Sequence, residues 1–333
     1  MDISAPITFS SEGCNYCTDA RRLINETQIN KWVGRKELDK VLGSGKYDCL
    51  IGLSGGVDSS FVLHRAKKMG LNVLAFTVDN GWNDPKADEN ILKLVEKLEV
   101  PLYRWVLDGK AFKDLQAAFM KAGLKNIEIP TDHVLMAASY KMAARYGIKY
   151  ILSGGNVATE SIMPPAWGYN ARDLVHIKDV FKKMTGKTLK GSDGLPLCST
   201  LEWNYYRWVK RIKILYLLDF ISYNRQEAID TLIKEYGYEP YGDKHCENVF
   251  TSWFQNFYLF EKFNIDKRKA HLSSLVVSGQ MTRNEALAEL QKCPVFPELG
   301  LEAKVMKYPK REHTEFKMDP WYDRIASFVR LWK

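Results

Sequence analysis

No run of apolar residues in this chain approaches the length of a membrane span, which sets aside an integral helical membrane protein. The opening residues Met1-Asp2-Ile3-Ser4-Ala5-Pro6 carry neither the basic nor the apolar region of a secretory signal, so a cytoplasmic enzyme with no membrane partner is expected. Cysteine is scarce. Six cysteines scattered over 333 residues cannot staple a small secreted domain, and metal ligation or packing are the roles left to them. There is no internal repeat and no low-complexity tail. No basic stripe interleaved with aromatics stands out, which weighs against nucleic acid as a partner. Residue 2 is Asp, and no cysteine sits in a glycine-framed elbow, so a cysteine-nucleophile hydrolase is not expected.

What is present is an ordinary globular composition, 46% hydrophobic and 26% charged, with length for one large domain or two modest ones. The net charge of +8 points to an anionic ligand or partner: a nucleotide, a nucleotide sugar or RNA. The densest basic run, Lys304, Lys307, Lys310 and Arg311, reads as solvated surface.

From Asp48 to about Gly155, short aliphatic runs alternate with helical periodicity. Strands are expected at Asp48–Leu53, Asn72–Val78, Leu102–Val106 and Lys149–Ser153. Helices are expected at Ser59–Met69, closed by Gly70, and at Lys86–Leu98, Ala111–Ala122 and Asp132–Arg145. This alternation predicts an α/β fold with a doubly wound parallel sheet, whose ligands bind beyond the carboxyl ends of the strands. Beyond Gly155 the chain turns mainly helical. Glu160–Asp193 reads as a loop-rich excursion and Trp203–Phe220 as one long aromatic helix. Asn224–Glu227 reads as a helix start with reciprocal capping, and Thr282–Glu285 as a capping box. The expected division is an N-terminal segment (1–45), a nucleotide domain (46–160) and a helical substrate- and partner-contacting region (161–333).

The most specific signal lies at the end of the first strand, in Ser54-Gly55-Gly56-Val57-Asp58-Ser59-Ser60. Glycine lets the backbone approach an anion, and the helix that follows offers unpaired N–H groups and a positive dipole end. No lysine completes a GxxxxGK[ST] loop, so this is not a γ-phosphate-transferring Walker site. The SGGxDSS pattern resembles the signature of the PP-loop ATP pyrophosphatases, which cut ATP between its α and β phosphates. Backbone N–H groups and the hydroxyls of Ser54, Ser59 and Ser60 would hold the β and γ phosphates. The Asp58 carboxylate would face phosphate only through Mg²⁺.

Two further polar loops fall at strand ends. Thr77-Val78-Asp79-Asn80-Gly81 would meet the adenine and ribose, although Asn-Gly is also a common turn. Gly154-Gly155-Asn156 with Thr159 and Glu160 closes the third strand end. Thr131-Asp132-His133 either caps a helix or brings Asp132 or His133 into the cleft. Cys14 and Cys17 have the CxxC spacing of half a zinc site, with Cys246 beside His245 as the other available ligand pair, while a redox pair or no role at all also fits. His245, Lys267, Arg268 and His271 fall in a polar stretch that is either a helical surface or a substrate wall.

Taken together, these blocks resemble the N-acetyl sugar amidotransferases (WbpG-like), PP-loop enzymes of lipopolysaccharide (O-antigen) and flagellar-glycan sugar biosynthesis. The resemblance runs from Ile7–Cys17 through SGGVDSS, Thr77–Trp82, Gly154–Glu160 and Asp266–Ser273 to Ser278–Arg283. It implies a PP-loop (adenine nucleotide alpha hydrolase-like) fold with ATP and Mg²⁺ as cofactors. The implied reaction adenylates an acetamido group of a nucleotide-linked sugar and displaces AMP with ammonia. Ser54, Asp58, Ser59, Asp132 and Glu160 are then the expected catalytic residues. Asn156, Thr159, Glu160, His245, Lys267, Arg268 and His271 are expected on the sugar. Family members usually carry a second CxxC upstream of Cys14, where this sequence starts, so either the start is truncated, or zinc is absent, or it is held by Cys14, Cys17 and a ligand such as Cys246. Ammonia is expected from a separate glutaminase subunit with a cyclase-like bridging subunit. The competing reading is a tRNA-thiolating PP-loop enzyme, and a third is a non-catalytic nucleotide-binding subunit, which the intact loop opposes.

Overall fold

The computed structural model describes residues 5–11, 13–43, 45–241 and 246–320. Five parallel strands lie at its centre: β1 (Cys49–Gly52), β2 (Val73–Asp79), β3 (Leu102–Val106), β4 (Tyr150–Ser153) and β5 (Lys213–Tyr216). Their spatial order is β3-β2-β1-β4-β5. The strands are aliphatic on both sides because both faces are covered. Leu50, Leu74, Phe76 and Ile151 join one buried cluster, while Cys49, Ile51, Val73, Ala75, Leu152 and Leu215 join the other.

A short ladder of Phe9–Ser10 with Gly13–Cys14 leads into α1 (Asn15–Ile29) and α2 (Lys31–Asp39). The crossovers of the sheet are α3 (Val57–Lys68), α4 (Pro85–Lys97), α5 (Gly109–Ala122) and α6 (Ile129–Arg145). Then come the one-turn α7 (Val157–Glu160), α8 (Leu174–Thr185), α9 (Thr200–Asn204), α10 (Leu217–Phe220) and α11 (Arg225–Tyr236). The C-terminal part holds α12 (Val249–Trp253), α13 (Arg268–Val277), α14 (Arg283–Gln291) and α15 (Glu302–Lys307). The cluster with Ile51 draws in α3, α4 and α11, and the cluster with Leu50 draws in α5, α6, α8 and the C-terminal helices. The doubly wound α/β sheet with a mainly helical remainder is therefore present, and its strand order reverses between β1 and β4. A crevice opens there at the carboxyl ends.

Three expectations about the second half need correction. Trp203–Phe220 is not one helix. Its chain passes from α9 into a wide π turn at Tyr205–Val209 and a residue of positive φ, Arg211 (56°), before β5 and α10. Ile214 and Leu215 sit in β5, paired with Ile151 and Leu152, so tertiary pairing overrides the helical spacing. The cap at Asn224 is one-sided: its Oδ1 accepts from the N–H groups of Gln226 (2.9 Å) and Glu227 (3.1 Å). Thr282 and Glu285, by contrast, make both halves of the box. The excursion after Glu160 contains α8, which packs on α5. Among the described residues no helix is long and apolar enough to cross a membrane.

Candidate active site

β1 runs into Ser54-Gly55-Gly56, and α3 starts at Val57 with Gly56 as its N-cap. Gly55 holds φ at 82°, and a Cβ there would lie 2.4 Å from the Ala87 carbonyl oxygen of α4, so only glycine fits. The two hydroxyls flanking the turn knot it together. Ser54 Oγ and Ser59 Oγ are 3.2 Å apart, the Gly56 N–H donates to Ser54 Oγ (3.2 Å), and Ser59 Oγ donates to the Gly56 carbonyl (3.2 Å). The β4 loop closes against this turn: a Cβ on Gly154 would stand 2.9 Å from the Ser59 nitrogen. Between the two loops lies a cavity of about 280 Å³, lined by Ser54, Gly56, Val57, Asp58, Ser59, Gly154, Gly155 and Glu160. A helix start, two glycine loops and small hydroxyls make an anion cradle.

Six further lining residues are not among the expected site residues, and four of them are polar or charged: Arg225, Tyr238, Tyr241 and Glu247. Tyr238 donates its hydroxyl to the Gly55 carbonyl (3.2 Å), and Tyr223 donates to Asp58. Burial and the adjacent Asp58 both push the Tyr223 phenol upward, so it stays a donor. Asp58, Glu160 and Glu247 give the cradle three carboxylates against the one guanidinium of Arg225. Oxygen donors of this kind suit a hard divalent cation such as Mg²⁺, which takes one or two carboxylates together with substrate phosphates. Ser60 is turned away: it is buried at 1% exposure and lines neither cavity.

A second cavity, of about 710 Å³, shares Ser54, Gly154 and Glu247 with the first. Thr77 and Val78 line it from the end of β2. Asp79 and Gly81 do not, because the Gly81 N–H donates to Asp79 Oδ1 (3.0 Å) and Arg104 donates to Asp79 Oδ2 (3.3 Å). Asn80 lines the cavity instead, its Oδ1 accepting from Trp82 N–H (3.0 Å) and Asn248 Nδ2 (3.3 Å).

The far wall is charged. Asp132, in the first turn of α6, opens into the cavity beside Lys267 and Glu128. Glu128 is the helix N-cap and is itself buried, with Thr251 donating to its Oε2 (2.8 Å) and Thr131 reaching its Oε1 (3.5 Å). Desolvation first, and then the Asp132 charge, lift the Glu128 carboxyl far above the usual range. Asp132 is also raised by desolvation, against the pull of Lys267, despite its opening to the cavity: protein surrounds it on the other sides. Glu128 was not singled out from sequence. Preceding Pro130, it looks like any helix start.

The remaining expected residues serve the scaffold or stand apart. His133 does not reach the cleft: its Nδ1 donates to the Ala171 carbonyl (2.6 Å), its Nε2 accepts from the Cys198 N–H (3.0 Å), and burial pushes it down to about 4. Asn156 is buried and caps α7 by accepting from the Thr159 N–H (2.9 Å), and neither residue lines a cavity. Arg268 is clasped to Asp266 by two hydrogen bonds (3.0 and 2.8 Å) and donates to the Lys292 carbonyl (2.9 Å). His271 lines neither cavity, and His245 lies outside the described residues. The zinc expectation finds no support. Among the described residues no three His, Cys, Asp or Glu side chains are grouped to hold a metal. Cys14 Sγ caps α1 by accepting from the Cys17 N–H (3.4 Å), while Cys246 faces Ser252 Oγ (3.6 Å). No cysteine is among the residues lining either cavity.

Residues 27–197 match the NAD synthase family model, which is more than half of the chain, and residues 247–328 match the "LPS biosynthesis protein WbpG-like, C-terminal domain". The chain belongs to the PP-loop ATP pyrophosphatases and is WbpG-like. The WbpG-like C-terminal domain begins at Glu247, the residue shared by both cavities, and contains Thr251 and Lys267. No curated protein matches the chain. Among solved structures, NMN synthetase from Francisella tularensis is similar at 17% identity over 72% of this chain and 100% of that one (TM-score 0.31). U34-tRNA thiolase NcsA from Methanococcus maripaludis is similar at 12% identity over 89% of each chain (TM-score 0.34). A predicted subunit of tRNA methyltransferase from Methanocaldococcus jannaschii is similar at 16% identity over 55% of this chain and 75% of that one (TM-score 0.31). None of the three carries an argument about this chain's chemistry.

Proposed function

We propose that this WbpG-like PP-loop enzyme is an ATP-dependent amidotransferase of N-acetyl sugars, acting on a nucleotide-linked sugar and forming an acetamidino group. The observation that carries the reading is the junction of the two cavities at Ser54, Gly154 and Glu247, which joins the anion cradle to a space large enough for an acceptor. The N–H groups at the start of α3, with the Ser54 and Ser59 hydroxyls, hold the β and γ phosphates. Thr77 and Val78 face the nucleoside. One or two of the cradle's carboxylates, Asp58 among them, would hold Mg²⁺ together with the substrate phosphates, and the cation would offset the growing charge of pyrophosphate.

An amide carbonyl is a poor electrophile, and its oxygen leaves poorly. Attack of that oxygen on the α-phosphorus breaks the bond to the β-phosphate oxygen, giving an adenylated imidate and pyrophosphate. Ammonia adds to the imidate carbon, and the carbon–oxygen bond breaks to release AMP. Asp132, set beside Glu128 and Lys267, takes the proton that the incoming nitrogen must lose. Ammonia comes from a separate glutaminase through a cyclase-like bridging subunit.

The test is incubation with ATP, ammonia and a panel of UDP- and CMP-linked diacetamido sugars, read by mass spectrometry. The expected product shows oxygen exchanged for NH, with one AMP formed per sugar converted. If no sugar supports AMP release, the reading fails.

A further inference from the structure

The anion cradle presents an electrostatic problem. Departing pyrophosphate is highly charged, yet Asp58, Glu160 and Glu247 line the same cavity, with Arg225 the one cationic residue among the described lining. Arg225 opens α11, lies half-buried and makes no ion pair among the described residues. Its charge is felt by the phenols of Tyr223 and Tyr238, the two that hydrogen-bond Asp58 and Gly55 of the loop. The guanidinium therefore belongs to the cradle's own neighbourhood.

Its placement depends on the C-terminal domain. Gln280 clasps the chain at two points: its Oε1 accepts from the Arg225 N–H (2.9 Å), and its Nε2 donates to the Tyr223 carbonyl (3.2 Å). Gln280 in turn stands just beyond α13, where Ser278 Oγ donates to the Ala158 carbonyl (2.8 Å) in α7, beside the β4 loop. One amide thus fixes a short segment that carries both the tyrosine gripping Asp58 and an arginine that lines the cradle.

We propose that Arg225 holds the departing pyrophosphate, and that Gln280 is the positioning residue through which the WbpG-like domain completes the phosphate site. The proposal rests on the adenylating reading above and names the group that receives its first product. A bidentate guanidinium suits a phosphate where a solvated lysine would supply only point charge.

The probe is magnesium pyrophosphate, titrated calorimetrically into the full chain without acceptor, with AMP as the control ligand. Arg225→Ala should weaken pyrophosphate about tenfold or more and leave AMP unchanged, and Arg225→Lys should recover part of the loss. Gln280→Ala should weaken pyrophosphate several-fold in the parent chain and cause no further loss beside Arg225→Ala, since the two act as one unit. Wild-type pyrophosphate affinity in Arg225→Ala would overturn the proposal, as would equal loss of pyrophosphate and AMP, or a Gln280→Ala effect of the same size in both backgrounds. Should Arg225→Ala not fold, Arg225→Lys takes its place in the cycle, and an affinity equal to the parent's there overturns the bidentate contact. If no acetamido sugar yields AMP, the amidotransferase reading falls while pyrophosphate binding still judges Arg225.

Discussion

The two cavities that meet at Ser54 are built in opposite ways. The phosphate cradle is mostly backbone: glycines at two adjacent strand ends, a helix start and two small hydroxyls. The larger cavity is mostly side chain, drawn from β2, the start of α6, the loop before α8 and the wide π turn at Phe254–Lys262. Backbone can be shaped only by steric permission, so the cradle tolerates no Cβ at Gly55 or Gly154. Side chains can be exchanged one at a time, so the acceptor wall can be retuned without touching the activation step. In a PP-loop enzyme that separation lets one activating chemistry serve different acceptors.

The contrast can be broken most severely at the glycines. Gly154→Ala would drive a Cβ to within 2.9 Å of the Ser59 nitrogen, which is backbone and cannot swing aside. AMP formation should fall by about a hundredfold or more, since displacing the loop by an ångström misaligns the reacting phosphate. Wild-type kinetics in that variant would show that the β4 loop is not part of the cradle.

A change on the acceptor wall should instead leave ATP alone. Asp132→Asn is expected to lower kcat by about a hundredfold with an unchanged KM for ATP. Desolvation raises the Asp132 carboxyl, so the wild-type rate should fall as pH drops through that raised value, where the base becomes protonated. The acid limb should be missing from the residual activity of the variant. A raised KM for ATP with kcat intact would move Asp132 to the nucleotide.

The smallest effect is thermodynamic. Glu128 binds a proton more readily folded than unfolded, because burial and Asp132 both disfavour its charge. The contribution of Glu128 to native stability is therefore greatest below the unfolded carboxylate range and declines as pH rises toward the raised folded value. Glu128→Gln should raise stability by about 1 kcal/mol or more at pH 8 and flatten that decline. Thermal melts at several pH values read this directly, and a variant less stable at pH 8 would count against the buried-pair picture.

How far the sequence speaks follows the same division. SGGVDSS is legible because a phosphate cradle needs consecutive small residues, and four of the five strands are legible because parallel strands are aliphatic runs. Ser60 lies about 100° further round α3 than Ser59, which turns its side chain into the core and away from the cavity that Ser59 lines. Arg225 and Tyr223 gave no signal, since a cation at a helix start looks like solvated surface until the chain folds back, while Glu247 was legible only as part of the polar stretch that begins at Lys244. The fifth strand was hidden among aromatics that read as helix, and only pairing with Tyr150–Ser153 reveals it. The CxxC at Cys14 shows the converse: its spacing serves a metal site and a helix start alike, and among the described residues Cys14 Sγ caps α1 with no metal cluster around it.

The central claim is that the acetamide oxygen attacks the α-phosphorus of ATP, and one labelling experiment tests it most directly. An acceptor sugar carrying heavy oxygen in its acetamido carbonyl is converted with ATP and ammonia, and the nucleotide product is analysed by mass spectrometry. The account predicts AMP bearing the heavy oxygen on its phosphate and a sugar that has lost it. Label retained in the sugar, or ADP in place of AMP, would contradict it.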